Sequence, residues 1–407
     1  MPSSVRRFCA IAALVAIAAA CTPRPEAPKP IPAPPPPTAP IAGNPLDRDQ
    51  ATYMRLPGMT PNLVPVRVGV ILPFTSSVAG TRALAQSLLK AAELAMFDSG
   101  NPNILLMTAD EGNGGAPAAQ AAEQLLSQGA EIIVGPLFGP SVQAVAPIAR
   151  DRGIPVLAFS TEKSVAGNGA YLLSFMPQNE VRRVVSYAAA NGRHQFAGLI
   201  PQTPYGNVAE AALQDSVAAV HGTVVDVEHF APNAESVTIP SANVAKSGAD
   251  AILIAQGGTL LRAIGPTLSL DGVTKDKVKL LGTGLWDDDH ALAREAALEG
   301  SWYAAPAPNA DAEFVNKYRT TYGAAPAQLA SLAYDAISLV ALLAQGPAYH
   351  RYTAAALNDP NGFSGVNGIF RFQPDGTSER GLAVLEMTSA GPVVISPAPT
   401  TFQKPGA

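Results

Sequence analysis

Three short runs together spell a known acyl chemistry. Ser160-Thr161-Glu162-Lys163 reads S-x-x-K, Ser241-Ala242-Asn243 reads S-x-N and Lys246-Ser247-Gly248 reads K-S-G, the elements of serine β-lactamases in their usual order. Such a nucleophile must open a helix beside the other two elements. Here the first run follows an apolar strand and the third falls at a helix end, so no hydrolase site is expected; Ser87-Leu88-Leu89-Lys90 repeats the first pattern and shows how cheap it is. Asp287-Asp288-Asp289-His290 could hold a cation, yet three carboxylates ahead of Ala291-Leu292-Ala293-Arg294 suit a helix N-terminus better. His194, His221, His229, His290 and His350 are scattered without ligand spacing, and Gly112-Asn113-Gly114-Gly115 lacks the third glycine of a dinucleotide fingerprint. No enzyme, metal or cofactor is expected.

The elements around these runs alternate. Val66 to Leu72 is a buried strand, followed by a helix from about Gly80 to Phe97 with Leu84, Leu88, Ala92 and Ala95 on one face. Then come strand 104–108, helix 116–127, strand 131–134, helix 141–152 and strand 155–159. A second series runs through helix 179–190, strand 196–200, helix 207–220, strand 223–230, helix 236–246, strand 251–255, helix 259–268 and strand 279–282. Gly129, Gly153, Gly192, Gly222 and Gly248 each stand between a helix end and the next strand, where a left-handed residue closes the helix. This rhythm predicts an α/β fold of two doubly wound lobes with mostly parallel sheets. The regularity ends with helices at 311–322 and 328–345 and strands near 368–372 and 382–387, as suits a chain crossing back between lobes. The 327–344 segment is interrupted by Gln328, Ser331, Asp335 and Ser338 at helical spacing and reads as a buried helix rather than a membrane span.

The chain has 407 residues, 47% of them hydrophobic and 14% charged, with a net charge of −5, which leaves no basic face for nucleic acid. Both cysteines, Cys9 and Cys21, lie near the start, so the globular part has neither disulfides nor a cysteine-based zinc site. Arg6-Arg7 and the apolar stretch Phe8 to Ala20 make residues 1–20 a secretory signal, too short to span a bilayer. Ala18-Ala19-Ala20-Cys21 fits lipidation of Cys21 as the mature N-terminus, and also ordinary cleavage after Ala-x-Ala. Eleven prolines lie between Thr22 and Pro45, so residues 21–62 are expected to be a lipidated N-terminus and a semi-rigid tether. At about 3.1 Å per residue it would reach roughly 70 Å. The folded part is expected at 63–397 (one lobe about 66–178 and 306–355, the other about 179–305 and 356–396), with 398–407 as a loose tail.

Leu72-Pro73-Phe74, Val134-Gly135-Pro136 leading to Gly153-Ile154-Pro155-Val156-Leu157-Ala158, and Pro204-Tyr205-Gly206 carry a resemblance. So do Phe314-x-x-x-Tyr318-x-x-x-Tyr322-Gly323-x-x-Pro326, Tyr334-Asp335-Ala336 and Phe363-x-Gly365-x-x-Gly368 with Phe372-x-x-x-Gly376. In this order, over about residues 66–390, they resemble the leucine-binding-protein family of type I periplasmic binding proteins. The resemblance implies two lobes joined by three crossovers, a ligand held in the cleft, and no catalysis. The lipidation signal, the tether and the Leu72 to Arg82 stretch look more like penicillin-binding protein activator lipoproteins, which reach to a peptidoglycan synthase.

In open α/β sheets the ligand site lies beyond the carboxyl ends of the strands. One lobe would supply Thr75, Ser76 and Ser77 after the first strand, Gly139, Pro140 and Ser141 after the third, and Ser160 and Thr161 after the fourth; the other would supply Tyr205, Gln256 and Trp286. Ser141 is expected to open a helix, either receiving a ligand carboxylate or serving as a plain N-cap. Ser160 and Thr161 are ligand donors or turn residues, and Trp286 stacks on a ligand or seals the cleft. The resemblance also implies serines in the loop after the third strand and an acid after a second-lobe strand to hold an α-ammonium. Gly139-Pro140 and Gly282-Thr283-Gly284-Leu285-Trp286 stand in those places, with Asp287 as a substitute, and a buried unpaired ammonium is costly. The expected function is a lipid-anchored periplasmic receptor for a small polar ligand, amino-acid-like or related, serving uptake through an ABC permease or sensing. The alternative is a non-enzymatic activator of a peptidoglycan synthase. In either case the membrane is met only through the lipid, and nucleic acid is no partner.

Overall fold

The computed structural model describes residues 53–58, 64–287, 289–348 and 350–403; Cys21, the signal and the proline run lie outside them. Through the first series run β1 (Tyr53–Arg55), β2 (Val66–Leu72), α1 (Ala79–Ser99), β3 (Ile104–Asp110), α2 (Gly115–Ser127), β4 (Ile132–Val134), α3 (Gly139–Arg150), β5 (Val156–Ala158) and β6 (Ala170–Leu172). The second contains α4 (Pro177–Ala190), β7 (Gln195–Pro201), α5 (Pro204–Ala219), β8 (Thr223–Phe230), α6 (Thr238–Lys246), β9 (Ala251–Ile254), α7 (Gly258–Leu270), β10 (Lys279–Gly282) and β11 (Trp302–Ala305). Then follow α8 (Ala312–Tyr322), α9 (Ala330–Leu343), α10 (Ala354–Leu357), β12 (Phe363–Gly365), β13 (Gly368–Phe372), β14 (Ser378–Arg380), β15 (Ala383–Thr388) and β16 (Gly391–Ser396).

The strands form a six-stranded sheet, β1-β3-β2-β4-β5-β6, a seven-stranded sheet, β16-β15-β11-β10-β9-β7-β8, and a small sheet, β12-β13-β14. The series strands pair in parallel, while β1, β15 and β16 add antiparallel edges. Their apolar runs are continuous because helices cover both faces. In β2, Val66, Val68, Val70 and Leu72 pack towards α1 and α9, and Ile71 packs on the other face with α2 and α3. The second sheet likewise has a core on each face, one holding Ile252, Ile254, Trp286 and Tyr303 and the other Phe196, Leu253, Leu281 and Val384.

Four expectations need correction. Tyr53–Arg55, assigned to the tether, pairs with β3 and packs Met54 on the first core. A strand of three residues is too short to show a period. Residues 356–380, expected in the second lobe, belong to the first, since β13 puts Phe370 and Phe372 into its core and the Phe372 ring lies 5.2 Å from that of Tyr171. The last crossing therefore lies between Arg380 and Ala383. The expected loose tail is docked as far as Gln403, with Phe402 beneath the Arg371 guanidinium and Gln403 donating to Asn361 at 2.6 Å. Finally, α5 is closed by His221 (φ 57°) rather than by Gly222. Gly222 instead sits where a Cβ would crowd Phe196 and Val217 at 3.1 Å.

Candidate functional site

Strand order reverses at β2, which lies between β3 and β4, and at β7, which lies between β8 and β9. The loops beyond these strands are therefore the topological switch points where α/β sheets place ligands. Thr75, Ser76, Gly139, Ser160 and Thr161 follow β2, β4 and β5 in the first lobe; Tyr205, Gln256 and Trp286 follow β7, β9 and β10 in the second.

The first wall is organised by carboxylates. At the end of β3, Asp110 accepts the N–H groups of Thr75 (3.2 Å) and Gly112 (3.0 Å) and the Thr75 hydroxyl. Burial alone would raise its carboxyl, but the hydroxyl and backbone donors outweigh it and hold Asp110 below its ordinary value. Glu111 next to it has no exposed surface and accepts the N–H groups of Leu137 at 2.9 Å and Phe138 at 3.0 Å. Burial pushes this carboxyl up, against those donors and the Ser141 hydroxyl beside it. Ser141 is not an N-cap: it is the third residue of α3, fully buried, with its N–H returned to the Phe138 carbonyl at 3.0 Å.

The remaining first-wall residues are partly engaged within the chain. Ser76 accepts the Val78 N–H at 3.3 Å, and its carbonyl takes the Arg82 guanidinium at 2.6 Å. Ser77 donates its N–H to Asn113 at 2.7 Å. Buried Ser160 accepts the Glu162 N–H at 3.1 Å, while Thr161 is exposed. Gly139 is the first helical residue of α3, with Glu162 lying against its Cα.

Aromatic packing builds the second wall. Trp286 is 1% exposed: its indole covers Gly282, where a Cβ would lie 2.2 Å from the ring, and donates to the Gln256 carbonyl at 2.9 Å. Only a glycine at 282 lets the ring sink onto the strand. The Gln256 amide turns to the Gly257 carbonyl at 2.9 Å. The half-buried Tyr205 hydroxyl donates to Thr283 at 2.8 Å. Asp287 accepts the Tyr303 hydroxyl at 2.9 Å, whose own proton is held more tightly through burial and that carboxylate. From α4, the buried Glu180 accepts the Gly284 N–H at 3.0 Å. Nothing in the spacing pointed to it, since it precedes Gly284 by 104 positions.

Between the walls the crossovers are tied together. The buried Arg380 guanidinium reaches both Asp335, at 3.4 Å, and the Ser174 carbonyl, at 3.3 Å, and lies over Phe175. Asn179 holds the Ser378 carbonyl at 2.7 Å and Ser378 the Ser174 carbonyl at 3.2 Å. Burial pushes the Asp335 carboxyl up, opposed by Arg380 and by the Val366 N–H.

The acyl-transfer runs do not assemble. Ser160 and Lys163 lie beyond β5, with Lys163 3.7 Å from Asp375, whereas Ser241 and Lys246 are on α6 of the other lobe. Asp289 caps the Ala291 N–H of a short 3₁₀ turn, in place of the expected helix, and pairs with Arg262 at 3.6 Å. A cavity of about 380 Å³ is lined by Trp286 and Asp287 after β10, by Tyr303, and by the β15–β16 turn at Gly391 and Pro392. That turn is at the end of the sheet away from the strand carboxyl ends. Among the described residues no helix is long and apolar enough to cross a membrane, and no group of three metal-ligating side chains occurs.

Residues 65–392 match the family model described as periplasmic binding protein. The chain belongs to the periplasmic binding protein family. A putative branched-chain amino acid ABC transporter protein from Rhodospirillum rubrum superimposes on 81% of the chain and all of its own, with 20% identity and a TM-score of 0.72. The leucine binding protein of Thermotoga maritima covers 82% of this chain and 98% of its own at 19% identity and 0.58, and an R. palustris solute binding protein in complex with benzoate covers 82% and 97% at 18% and 0.58. At such identity these likenesses carry the fold: two mixed, largely parallel lobes of the type I periplasmic binding kind. An uncharacterized protein of Rickettsia prowazekii (strain Madrid E) is 19% identical over 141 residues, 35% of this chain and 38% of that protein's length.

Proposed function

We propose that this member of the family is a non-catalytic periplasmic receptor whose lobes close on a small polar ligand and deliver it to an ABC permease. The observation that carries the reading is that each sheet has a switch point followed by polar residues, β2 with Thr75 and β7 with Tyr205, whose hydroxyl reaches Thr283. Polar groups at the strand ends of two sheets linked by crossovers suit ligand-selected closure. The named neighbours, one a leucine binding protein and one a complex with benzoate, support a small solute as cargo. Anchoring through a lipid on Cys21 belongs to the same proposal, and the mass of the mature N-terminal peptide tests it.

Thermal unfolding of the mature protein against amino acids, aromatic acids, amines, sugars and peptidoglycan fragments tests the reading. A solute at 100 times its dissociation constant adds about 2.7 kcal/mol. One class is expected to raise the melting temperature, with at least a tenfold weaker response in Thr161→Ala and Tyr205→Phe. Flat curves with every class would reject a solute receptor. The proline-rich run between Thr22 and Pro45 supports the second reading, an activator reaching a peptidoglycan synthase, and flat curves together with retention of a purified synthase would favour it.

A further inference from the structure

The amino end of α3 is where the first wall would be expected to receive a ligand anion, because the leading N–H groups of a helix lack partners and its dipole is positive there. In this chain the place is filled from within. Glu111, fully buried, takes the N–H groups of Leu137 and Phe138. Pro140, second in the helix, has no N–H to give, and the Ser141 N–H is committed to the Phe138 carbonyl. Glu162 then covers the first turn from outside. Its Oε2 lies 1.9 Å from the position a Cβ on Gly139 would take, so the carboxylate rests directly on the glycine. The pose is braced at two points: the Ser160 hydroxyl accepts the Glu162 N–H at 3.1 Å, and Ser164 donates its hydroxyl to Oε1 at 2.8 Å.

We infer that Glu162 is a specificity-determining residue that excludes carboxylate ligands from the first wall, so that the cleft takes a solute whose first-lobe end is an ammonium or an uncharged polar group. The inference rests on the receptor reading above and deepens it. A ligand carboxylate at this helix end would meet the Glu162 carboxylate, with the Leu137 and Phe138 N–H groups already taken by Glu111, whereas a hydroxyl or ammonium could use Glu162 as an acceptor. The exposed Thr161 beside it and the Asp110 carboxylate at the neighbouring strand end add no positive charge, and Lys163, next in the chain, is turned to Asp375 at 3.7 Å. Arg82, the cation nearest in sequence to the β2 loop, turns its guanidinium to the Ser76 carbonyl. Gly139 is required by this arrangement, since any side chain there would displace the carboxylate.

Calorimetric titration of the full mature protein with leucine, benzoate, putrescine and ribose, for wild type, Glu162→Ser and Glu162→Gln, tests the inference. Both variants are expected to fold as wild type, because Glu162 is exposed; circular dichroism and melting temperature check this. Glu162→Ser is expected to gain at least tenfold in affinity for leucine or benzoate over wild type. Glu162→Gln, which keeps the shape and removes the charge, is expected to gain part of it. Binding of leucine or benzoate to wild type as tightly as to Glu162→Ser would overturn the inference and leave the receptor reading standing. No binding of any of the four solutes to any of the three proteins would overturn both.

Discussion

The two walls of the cleft are built by different physics. In the first lobe the loops are held by carboxylates: Glu111 on two backbone N–H groups, Asp110 on Thr75 and Gly112, and the buried Asp335 and Arg380 behind them at the crossovers. In the second lobe the corresponding loops rest on aromatic contact, with Trp286 sunk onto Gly282 beside Tyr303 at a ring separation of 6.1 Å and Tyr205 joined to Thr283. A wall held by buried charge answers to pH and to the loss of a single partner. A wall held by packing answers to volume.

The largest effect should come from breaking the charged side of this contrast. Arg380→Ala leaves Asp335 buried without its cation and loosens the Ser174 crossover, so urea unfolding should show a loss of about 3–5 kcal/mol. Next, Trp286→Phe removes the indole donor to Gln256 and part of the ring over Gly282; about 1–3 kcal/mol should be lost, with no dependence on pH between 5 and 8, roughly the range in which few side chains titrate.

A smaller effect sharpens the contrast through sign. The Asp110 carboxyl is lowered from 3.8 on folding, so its contribution is present above that value and is lost as pH falls through the lower folded value. The Glu111 carboxyl is raised from 4.5, so its contribution is full below that value and is lost as pH rises through the higher folded value. Adjacent acids therefore pull stability in opposite directions. Urea curves from pH 3 to 7, about the range spanned by ordinary carboxylates and beyond, should show the advantage of wild type over Asp110→Asn growing with pH and that over Glu111→Gln shrinking. Identical slopes would refute the assignment. The smallest effect belongs to Thr161→Ala, exposed on the first wall, which should change stability by less than about 0.5 kcal/mol while lowering solute affinity.

What was legible in the chain was whatever repeats. Long apolar runs such as Val66 to Leu72 and Ala251 to Ile254 mark strands buried on both faces, and the glycines at 129, 153, 192 and 248 stand in the left-handed stops expected of them. Three-residue strands such as β1, β12 and β14 carry too few residues for a period, and β6 and β11 follow loops whose lengths no local rule fixes. The small sheet was read into the wrong lobe because its Phe370 and Phe372 find their partners across 200 residues of chain, as the Tyr171 contact shows. Within the site, the strand-end hydroxyls were visible as polar residues after apolar runs. Their use was not. Glu111 takes amides 26 and 27 positions onward, and Glu180 reaches Gly284 across the whole second lobe, so both look locally like ordinary surface acids. The one available signal was Asp110-Glu111 directly at the end of an apolar strand, where a buried acid can find only loop amides.

Closure on a solute is the central claim, and the near absence of cysteines makes it directly measurable. With Cys21 replaced by serine, spin labels at Val78→Cys on the first wall and Gln202→Cys on the second, both exposed, would report the distance between the lobes. The account predicts that leucine, benzoate, putrescine or ribose at saturation shortens and narrows this distance distribution, with the carboxylate-free pair acting on wild type. An unchanged distribution with all four would contradict it.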